Sequence, residues 1–408
     1  MKNVIVGQSG GPTAAINASL VGVYETAKTL GFDTVYGMQY GIEGLLDELY
    51  VDLSVQIKNS LDVELLKRTP SSFLGSCRYK LPEIGTNDAV YEKLFALLEK
   101  LEIACFIYIG GNDSMDTISK MSDWAQKVHS PIRCIGVPKT IDNDLAVTDH
   151  TPGYGSAAKY IGAIMKEIIR DSLVYNLKSV TVVEIMGRNA GWLAGAAALS
   201  KGDDCEGVDI ICLPETVFDM DAFLLRVNAV QKSKGNVVVA VSEGVKFADG
   251  RYVCEAANEA ITSDVFGHKN LTGTAQYLSA EIKRRLGCKT RAIELNTLQR
   301  CSAHMASRTD ITEAYGAGGA AVTAAHDGRS GEMVVFHRLS TKPYLCVTEL
   351  ADIHTIANRE KLVPQAWITE DGFGVTQEFI DYAYPLIQSE LTPIYVCGMP
   401  QHIYMKRS

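Results

Sequence analysis

The chain has 408 residues, of which 47% are hydrophobic and 21% charged, and its formal net charge is −9 at pH 7. This composition is typical of a globular protein too large for one small core, so we expect two lobes. The acidic balance and the lack of a basic run argue against binding to nucleic acid or to anionic membranes, and they predict that any anionic ligand is held in a local pocket.

The N-terminal stretch MKNVIVGQSGGP leads directly into a strand-like run and lacks the charged and apolar regions of a signal peptide. No stretch approaches about eighteen uninterrupted apolar residues, so we expect no membrane span. The ten cysteines form no CxxC pair. They predict reduced, mostly packed thiols, and hence a cytoplasmic protein.

Short apolar runs bounded by Gly, Pro or Asp alternate along the chain with helical patterns. The predicted strands are Asn3–Val6, Cys105–Ile109, Arg133–Val137, Ser179–Ile185, Val208–Leu213 and Asn236–Val241. Helical spacing relates the apolar residues Val90, Leu94, Leu98 and Leu101, the residues Ile161, Ile164, Met165 and Ile168, and the residues Leu278, Ile282 and Leu286. This alternation predicts an α/β fold with mainly parallel sheets covered by helices. Ligands of such sheets bind beyond the carboxyl ends of the strands, so the loops there are the candidate sites.

The loop after the first strand has the sequence GQSGGPTAAIN. Gly10 and Gly11 permit close approach of the backbone, and Pro12 suits the first turn of a helix, so this loop could hold an anion. It is not a Walker A loop, since the chain contains no Gly-Lys dipeptide, and it does not match GxGxxG. A plain tight turn is an equally good interpretation.

The loop after the second predicted strand, GGNDSMD, combines two glycines with three polar residues. Gly111 offers a bare amide, Ser114 a hydroxyl, and Asn112 and Asp113 oxygens that could bind a metal. A helix N-cap alone is the alternative, but one cap does not need three polar residues.

The loop VPKTIDND follows the next buried strand and is costly to desolvate unless it binds a charged group. Asp142 and Asp144 are two residues apart and would point the same way in an extended backbone. Lys139 and Thr140 lie beside them. The alternative is a surface turn with a local ion pair.

Three later segments place charged residues near predicted strand ends. They are EIMGRNAGW with Arg188, VSEG with Glu243, and KTRAIELNTLQR with Arg291 and Arg300. Each Arg alone is more often a surface charge. Together, guanidinium groups for phosphate and a carboxylate for hydroxyls suit a phosphorylated sugar.

In their order and spacing, GGPTAAIN, GGNDS, PKTIDND, MGR, SEG and the TR…QR pair resemble the phosphofructokinase family. The resemblance runs from about Gly7 to Arg308 and is most specific at TIDND and MGR; the last hundred or so residues carry no motif. It implies magnesium-dependent phosphorylation of fructose 6-phosphate by a homodimer or homotetramer. It also implies a two-lobed phosphofructokinase-like α/β fold: a donor lobe of residues 1–145 plus about 290–340, and a sugar-phosphate lobe of residues 146–289 plus about 341–408.

The resemblance also assigns roles to individual residues. Asp142 matches the general base for the sugar 1-hydroxyl, Thr140 a contact of the phosphoryl group and substrate, and Asp144 a supporting carboxylate. The donor-binding residues that it implies are Gly10, Gly11, Gly111, Asn112 and Ser114. The sugar-phosphate contacts that it implies are Met186, Gly187, Arg188, Glu243, Arg291, Thr297 and Arg300. Asn112 occupies the position of the family's magnesium carboxylate, and an amide there weakens direct metal binding.

Asp113 and Lys139 bear on the phosphoryl donor. Family members that use ATP generally have Gly at both positions, whereas members that use pyrophosphate carry this Asp and this Lys. The carboxylate of Asp113 would repel the α-phosphate of a nucleotide, and the ammonium of Lys139 would compensate the charge of pyrophosphate. We therefore expect pyrophosphate as the donor.

Two alternatives remain open: an ATP-dependent phosphofructokinase and a non-catalytic sugar-phosphate sensor. Retention of Asp142, Thr140 and Arg188 disfavours the sensor, because binding alone needs no base. Sedoheptulose 7-phosphate could make the same contacts as fructose 6-phosphate, so the sugar is open as well. Two further positions differ from the bacterial ATP enzymes: Thr297 replaces a His, and Ser179 replaces an Arg that those enzymes lend across a subunit interface, with Lys178 adjacent.

Overall fold

The structure, a computed structural model, describes residues 2–174, 176–256 and 271–405. The strands are β1 Asn3–Gln8, β2 Val35–Met38, β3 Tyr50–Asp52, β4 Ile103–Gly110, β5 Arg133–Pro138, β6 Ser179–Ile185, β7 Ile210–Cys212, β8 Asn236–Ser242, β9 Lys289–Glu294, β10 Glu332–Thr341, β11 Tyr344–Asp352, β12 Tyr395–Val396 and β13 Met399–Pro400. The α-helices are α1 Ile16–Thr29, α2 Gly41–Leu46, α3 Leu53–Gln56, α4 Ser60–Arg68, α5 Ala89–Lys100, α6 Asn112–Lys127, α7 Tyr154–Ser172, α8 Trp192–Gly195, α9 Met220–Lys234, α10 Thr274–Leu286, α11 Leu298–Cys301, α12 Arg308–His326 and α13 Gln377–Ala383.

The strands form two main sheets. The large sheet has the order β11-β10-β5-β4-β1-β2-β3, and the small sheet has the order β7-β8-β6-β9. All pairs in the small sheet are parallel. In the large sheet only the pairs β10–β11 and β2–β3 are antiparallel. The expected α/β fold with mainly parallel sheets is confirmed, and so are all six predicted strands, although β7 is shorter than expected.

Apolar residues on both faces of the central strands, such as β1 and β6, explain why these runs are continuous. In β1, Val4 and Val6 belong to a core with α1, α4 and α12, whereas Ile5 belongs to the opposite core with α2, α5 and α6. In β6, Val183 packs towards α7 and α8, and Val182 packs towards α9 and α10. A parallel sheet buried on both faces needs this pattern.

Glycines let α1 and α12 pack closely on the large sheet. A Cβ at Gly22 would lie 2.0 Å from the carbonyl oxygen of Tyr315, and one at Gly318 would lie 2.1 Å from that of Ser19. Any larger residue at either glycine would push the helices apart, because Cβ contacts this short do not occur in real structures.

The predicted lobe boundaries are wrong at two strands. β9 lies in the small sheet, although residues from about 290 to 340 are predicted in the donor lobe. β11 pairs with β10 in the large sheet, although residues after about 341 are predicted in the sugar-phosphate lobe. The first error arises because β9 is only partly buried and lacks a continuous apolar run. The second arises because an antiparallel hairpin returns the chain to the same sheet. The rest of the division stays a prediction.

Two groups of loops therefore leave neighbouring strands at the same edge of their sheets. The loops after β1, β4 and β5 belong to the large sheet, and those after β6, β8 and β9 belong to the small one. Asp310 of α12 joins the lobes, since its carboxylate accepts hydrogen bonds from the backbone amides of Gly153 at 2.8 Å and Ser156 at 3.0 Å, at the start of α7. Among the described residues no helix has the length and hydropathy required to cross a bilayer.

Candidate active site

The amine of Lys139 lies against the glycine loop that follows β1. Lys139 is 2% exposed and donates from Nζ to the carbonyl oxygen of Gly11 at 2.7 Å. A Cβ at Gly10 would lie 3.3 Å from the same Nζ, and Gly10 has a φ of +75°, which favours glycine. Burial lowers the pKa of Lys139 to about 8, although Asp142 opposes this shift. The amine is therefore charged at neutral pH and loses its charge in mildly alkaline solution.

Arg300 approaches the same glycine loop from the small-sheet side. It belongs to α11, which follows β9, and its Nη1 lies 3.5 Å from an ideal Cβ on Gly11. Its positive charge also lowers the pKa of both Lys139 and Asp142. Two cations at one glycine loop create a local anion site in a chain that is acidic overall.

The second glycine loop leads into α6, which begins at Asn112 with Gly111 as its N-cap. A Cβ at Gly111 would lie 3.6 Å from the carbonyl oxygen of Lys139, so this helix start faces the loop of residues 139–144. Asp113 lies in the first turn of the helix, and Ser114 is buried. The free amides and the dipole of a helix N-terminus favour an anion here. The predicted role of Asp113 in selecting the donor stays a prediction.

The amide group of Asn112 holds a segment of the C-terminal region. Its Nδ2 donates to the carbonyl oxygen of Arg359 at 2.8 Å, and its Oδ1 accepts from the backbone amide of Asn358 at 2.6 Å. These contacts orient the side chain towards that segment. The predicted role of Asn112 at a magnesium ion stays a prediction.

A network of hydrogen bonds shapes the catalytic loop, residues 139–144. The backbone amide of Asp142 donates to Oγ1 of Thr140 at 3.1 Å. Asn143 has a φ of +55°, and its Oδ1 accepts from the backbone amide of Thr151 at 3.0 Å. Oγ1 of Thr151 donates to the carbonyl oxygen of Thr140 at 2.8 Å. The loop thus rests on the segment 148–152 rather than on solvent.

The two carboxylates of this loop differ in their electrostatic surroundings. Burial raises the pKa of Asp142 more than the charges of Arg188, Lys139 and Arg300 lower it, so the net shift is upward. Burial, together with the negative charges of Asp142 and Glu360, raises the pKa of Asp144 to about 7. Because the net shift raises the pKa of Asp142, its ionised carboxylate is a stronger base than that of a free aspartate, which suits it to accept a proton from a bound hydroxyl.

The loops of the small sheet place the predicted sugar contacts side by side. The backbone amide of Met186 donates to Oε1 of Gln299 at 3.3 Å, and that of Gly187 donates to Oε1 of Glu243 at 3.4 Å. Gly187 has a φ of +134°, and a Cβ there would lie 2.6 Å from the carbonyl oxygen of Ala190. Burial, together with the negative charge of Asp142, raises the pKa of Glu243 to about 8. Glu243 therefore lies within electrostatic reach of the catalytic loop.

Two of the predicted sugar contacts occupy exposed positions. Thr297 is exposed and directly precedes α11. Arg291 lies within β9 rather than beyond its end, its side chain is 56% exposed, and Nη1 lies 3.1 Å from a carboxylate oxygen of Asp171. Within this chain, Arg291 is therefore not brought to the loops that gather around Asp142.

The structure adds a segment that the sequence motifs did not indicate, residues 358–361. The backbone amide of Lys361 donates to the carbonyl oxygen of Asp144 at 2.7 Å, and Nδ2 of Asn189 donates to Oε1 of Glu360 at 2.7 Å. With the Asn112 contacts, this segment links the start of α6, the loop of residues 139–144 and the loop after β6. The only sequence signal is a charged run, NREK, which is too common to identify a site.

Comparisons with known proteins identify the family of this chain. The family model described as phosphofructokinase matches residues 3–325. The chain belongs to the phosphofructokinase family. It is 40% identical over 403 residues to a pyrophosphate–fructose 6-phosphate 1-phosphotransferase of Halomonas elongata, covering 98% of this chain and 95% of that protein.

A second such relative, from Methylococcus capsulatus, is 41% identical over 406 residues, covering 98% of this chain and 95% of that protein. Among solved structures, a pyrophosphate-dependent phosphofructokinase from Nitrosospira multiformis superposes with a TM-score of 0.89 and 38% identity, covering 98% of this chain and 96% of that one. The predicted phosphofructokinase-like fold is thereby confirmed.

Proposed function

We propose that this phosphofructokinase transfers a phosphoryl group from pyrophosphate to the 1-hydroxyl of fructose 6-phosphate, reversibly, and yields fructose 1,6-bisphosphate and orthophosphate. The observation that carries the proposal is the Lys139 ammonium, buried against the Gly10–Gly11 loop and within reach of Arg300. This pocket supplies positive charge to a small anion. The relatives that share nearly the whole chain carry names with the same reaction.

In the proposed mechanism the sugar oxygen attacks the transferred phosphorus while the bridging P–O bond of pyrophosphate breaks. Asp142 takes the hydroxyl proton, which is worth roughly 10²–10⁴-fold in rate. Lys139 and Arg300 balance charge on the phosphoryl oxygens, since such transfers depend on positioning and electrostatics. Arg188 and Glu243 hold the sugar phosphate and its hydroxyls, and Thr140 orients the Asp142 backbone.

Carboxylate oxygens are the ligand type that magnesium prefers, and the ion usually also binds substrate phosphates. Asp144 and Glu360, whose charges interact, are the carboxylates beside this pocket that would hold it. When bound, magnesium would neutralise charge on pyrophosphate. Asn112 remains a predicted neighbour of this ion.

We also propose that the enzyme is a homodimer or homotetramer in the cytoplasm, where phosphorylated sugars are retained by their charge. β9 is an edge strand of the small sheet, and its Arg291 faces outward beside Asp171. A sugar-phosphate role for Arg291 requires contact with the site of another copy. If sedimentation shows an oligomer, Arg291→Ala should weaken the binding of fructose 6-phosphate. Full activity of a monomer would contradict this arrangement.

A coupled assay with pyrophosphate and ATP side by side tests the main proposal. Purified wild-type enzyme with magnesium should form fructose 1,6-bisphosphate from pyrophosphate and show no turnover with ATP. Sedoheptulose 7-phosphate in the same assay measures how strictly the sugar is selected. Comparable rates with ATP and pyrophosphate would refute the donor assignment.

A further inference from the structure

A buried histidine, His150, lies beside the catalytic loop and plays no part in the mechanism above. The ring is 2% exposed. Its Nδ1 lies 2.8 Å from a carboxylate oxygen of Asp149, and its Nε2 lies 2.8 Å from one of Glu313 on α12. Carboxylates accept and do not donate when ionised, so both ring nitrogens must carry hydrogen to satisfy both contacts. The geometry is that of an imidazolium between two carboxylates.

Further contacts fix both carboxylates from other elements. Arg338 of β10 donates from Nη2 to Asp149 at 2.8 Å, and the hydroxyl of Tyr344 on β11 donates to Glu313 at 2.6 Å. The ring of Phe336 stacks on the imidazole with a centroid distance of 4.7 Å. The carboxylates therefore cannot turn away from the ring without breaking other contacts.

The backbone on both sides of His150 supports the catalytic loop. On one side, the carbonyl oxygen of Asp149 accepts from Nζ of Lys361 and from the hydroxyl of Tyr382, each at 2.7 Å. On the other side, Thr151 binds the side chain of Asn143 and the carbonyl of Thr140. The catalytic base Asp142 lies between these last two residues. A shift of His150 would therefore reach Asp142 through two residues, Thr151 and either Asn143 or Thr140.

We propose that His150, held as an imidazolium between Asp149 and Glu313, is a positioning residue that fixes the catalytic loop for proton transfer by Asp142. This inference rests on the proposed function, because it assumes that Asp142 is the base. Misplacement of a catalytic group by about 1 Å can cost about 100-fold in rate. The loss should therefore fall on kcat rather than on substrate binding.

The charged and titratable groups that surround His150 favour this proposal over bound metal. His150, Glu313 and Cys346 have ligand atoms within 4.8 Å of one another, which could suit a cation. The guanidinium of Arg338 already lies against Asp149, and burial raises the pKa of the Cys346 thiol to about 12. Asp149 and Glu313 contact the ring itself. Arg338, Tyr344 and Cys346 lie beside these carboxylates, and Lys361 and Tyr382 bind the carbonyl oxygen of Asp149.

The direction of the titration follows from these contacts. Burial lowers the pKa of His150, but the hydrogen bonds and charges of Asp149 and Glu313 raise it more, so the net shift is upward. The imidazolium is then present below this raised pKa and is lost as pH rises through it. Glu313→Gln removes one of the two charges and should move the titration to lower pH.

Two measurements on the full-length enzyme test the proposal. NMR of histidine labelled at Cε1, assigned with His150→Gln, should show His150 titrating above its ordinary value of 6.5 and shifting downward in Glu313→Gln. In the pyrophosphate assay, His150→Gln should lower kcat by about 10- to 100-fold with both KM values within about threefold. The alkaline limb of kcat in Glu313→Gln should move to lower pH with the NMR titration, which a merely structural role would not produce.

His337→Gln is the matched control, because His337 also pairs with a glutamate, Glu349, but its side chain is 55% exposed. It should leave kcat unchanged. A His150 titration at or below the ordinary value, an unchanged kcat in His150→Gln, or stoichiometric metal lost in that variant would each overturn the proposal. If His150→Gln does not fold, Glu313→Gln provides the test. An alkaline limb of kcat that stays at the wild-type pH in Glu313→Gln would overturn the proposal. An inactive wild type would instead refute the proposed reaction.

Discussion

The buried amine of Lys139 predicts that kcat/KM for pyrophosphate falls as pH rises, and that this fall is specific to the phosphoryl donor. Because burial lowers its pKa to about 8, the charged fraction should fall about tenfold between pH 7 and pH 9. The ammonium lies 2.7 Å from the carbonyl oxygen of Gly11, where the anion is proposed to bind. The kcat/KM for pyrophosphate should fall by about the same factor, since it reports the free enzyme.

Lys139→Met separates this effect from the ionisation of pyrophosphate itself. The ratio of wild-type to variant kcat/KM, taken at each pH, cancels changes in the substrate. We expect this ratio to be largest below pH 7 and about tenfold smaller at pH 9. Below the pKa the ammonium is charged and the variant lacks it; above the pKa both proteins lack the charge.

Lys120→Met is the control for loss of a buried amine. Lys120 is 7% exposed, and although burial lowers its pKa, Asp116 and Glu83 raise it more, so it stays charged across this range. The ratio of wild-type kcat/KM to that of Lys120→Met should therefore not vary with pH. A flat ratio for Lys139→Met as well would refute the argument that Lys139 titrates against the donor.

Further predictions concern the proposed base Asp142, the neighbouring carboxylate Asp144, the guanidinium of Arg300 and the donor-selecting residue Asp113. Asp142→Asn should lower kcat by about 10²–10⁴ with fructose 6-phosphate binding retained; a variant with a tenth of the wild-type kcat would contradict the assignment. Asp144→Asn removes a negative charge beside Asp142, so the acid limb of kcat/KM should move to lower pH, and movement to higher pH would be inconsistent with this coupling. Arg300→Ala should weaken the binding of fructose 6-phosphate by roughly 1.5–3 kcal/mol. It should also weaken the binding of pyrophosphate measurably, because Arg300 lies beside Gly11. An effect on the binding of the sugar alone would place Arg300 outside the donor pocket. Asp113→Gly should admit slow use of ATP and reduce pyrophosphate turnover, whereas no ATP turnover would show that this carboxylate is not what excludes nucleotides.

The sequence predicted the strands of the two cores because burial on both faces requires continuous apolar runs. It also predicted that the candidate site lies in the loops beyond the carboxyl ends of the strands, and the loops after β1, β4 and β5 do leave neighbouring parallel strands. β9 escaped prediction because it is partly exposed and its residues alternate in character. The same exposure explains why Arg291, predicted beside the other sugar contacts, lies apart from them within one chain.

The segment 358–361 could not be predicted because its contribution depends on tertiary contacts and not on a local pattern. Asn112 illustrates this. By sequence it is a weakened metal ligand, whereas in the structure both ends of its amide hold the backbone at Asn358 and Arg359. A single amide can serve either purpose, and only the position of a segment almost 250 residues away decides which contacts it makes.

The segment 358–361 also contacts both lobes, whose relative position matters for a site formed between them. Each parallel sheet fixes its own loops, but in-line transfer requires the donor loops of one lobe and the sugar loops of the other to keep a defined separation. The backbone of Lys361 binds Asp144 on one side, and Glu360 binds Asn189 of the small-sheet loop on the other. Because these contacts span both lobes within four residues of chain, the segment limits how far the lobes can move apart at the point where the phosphoryl group would cross.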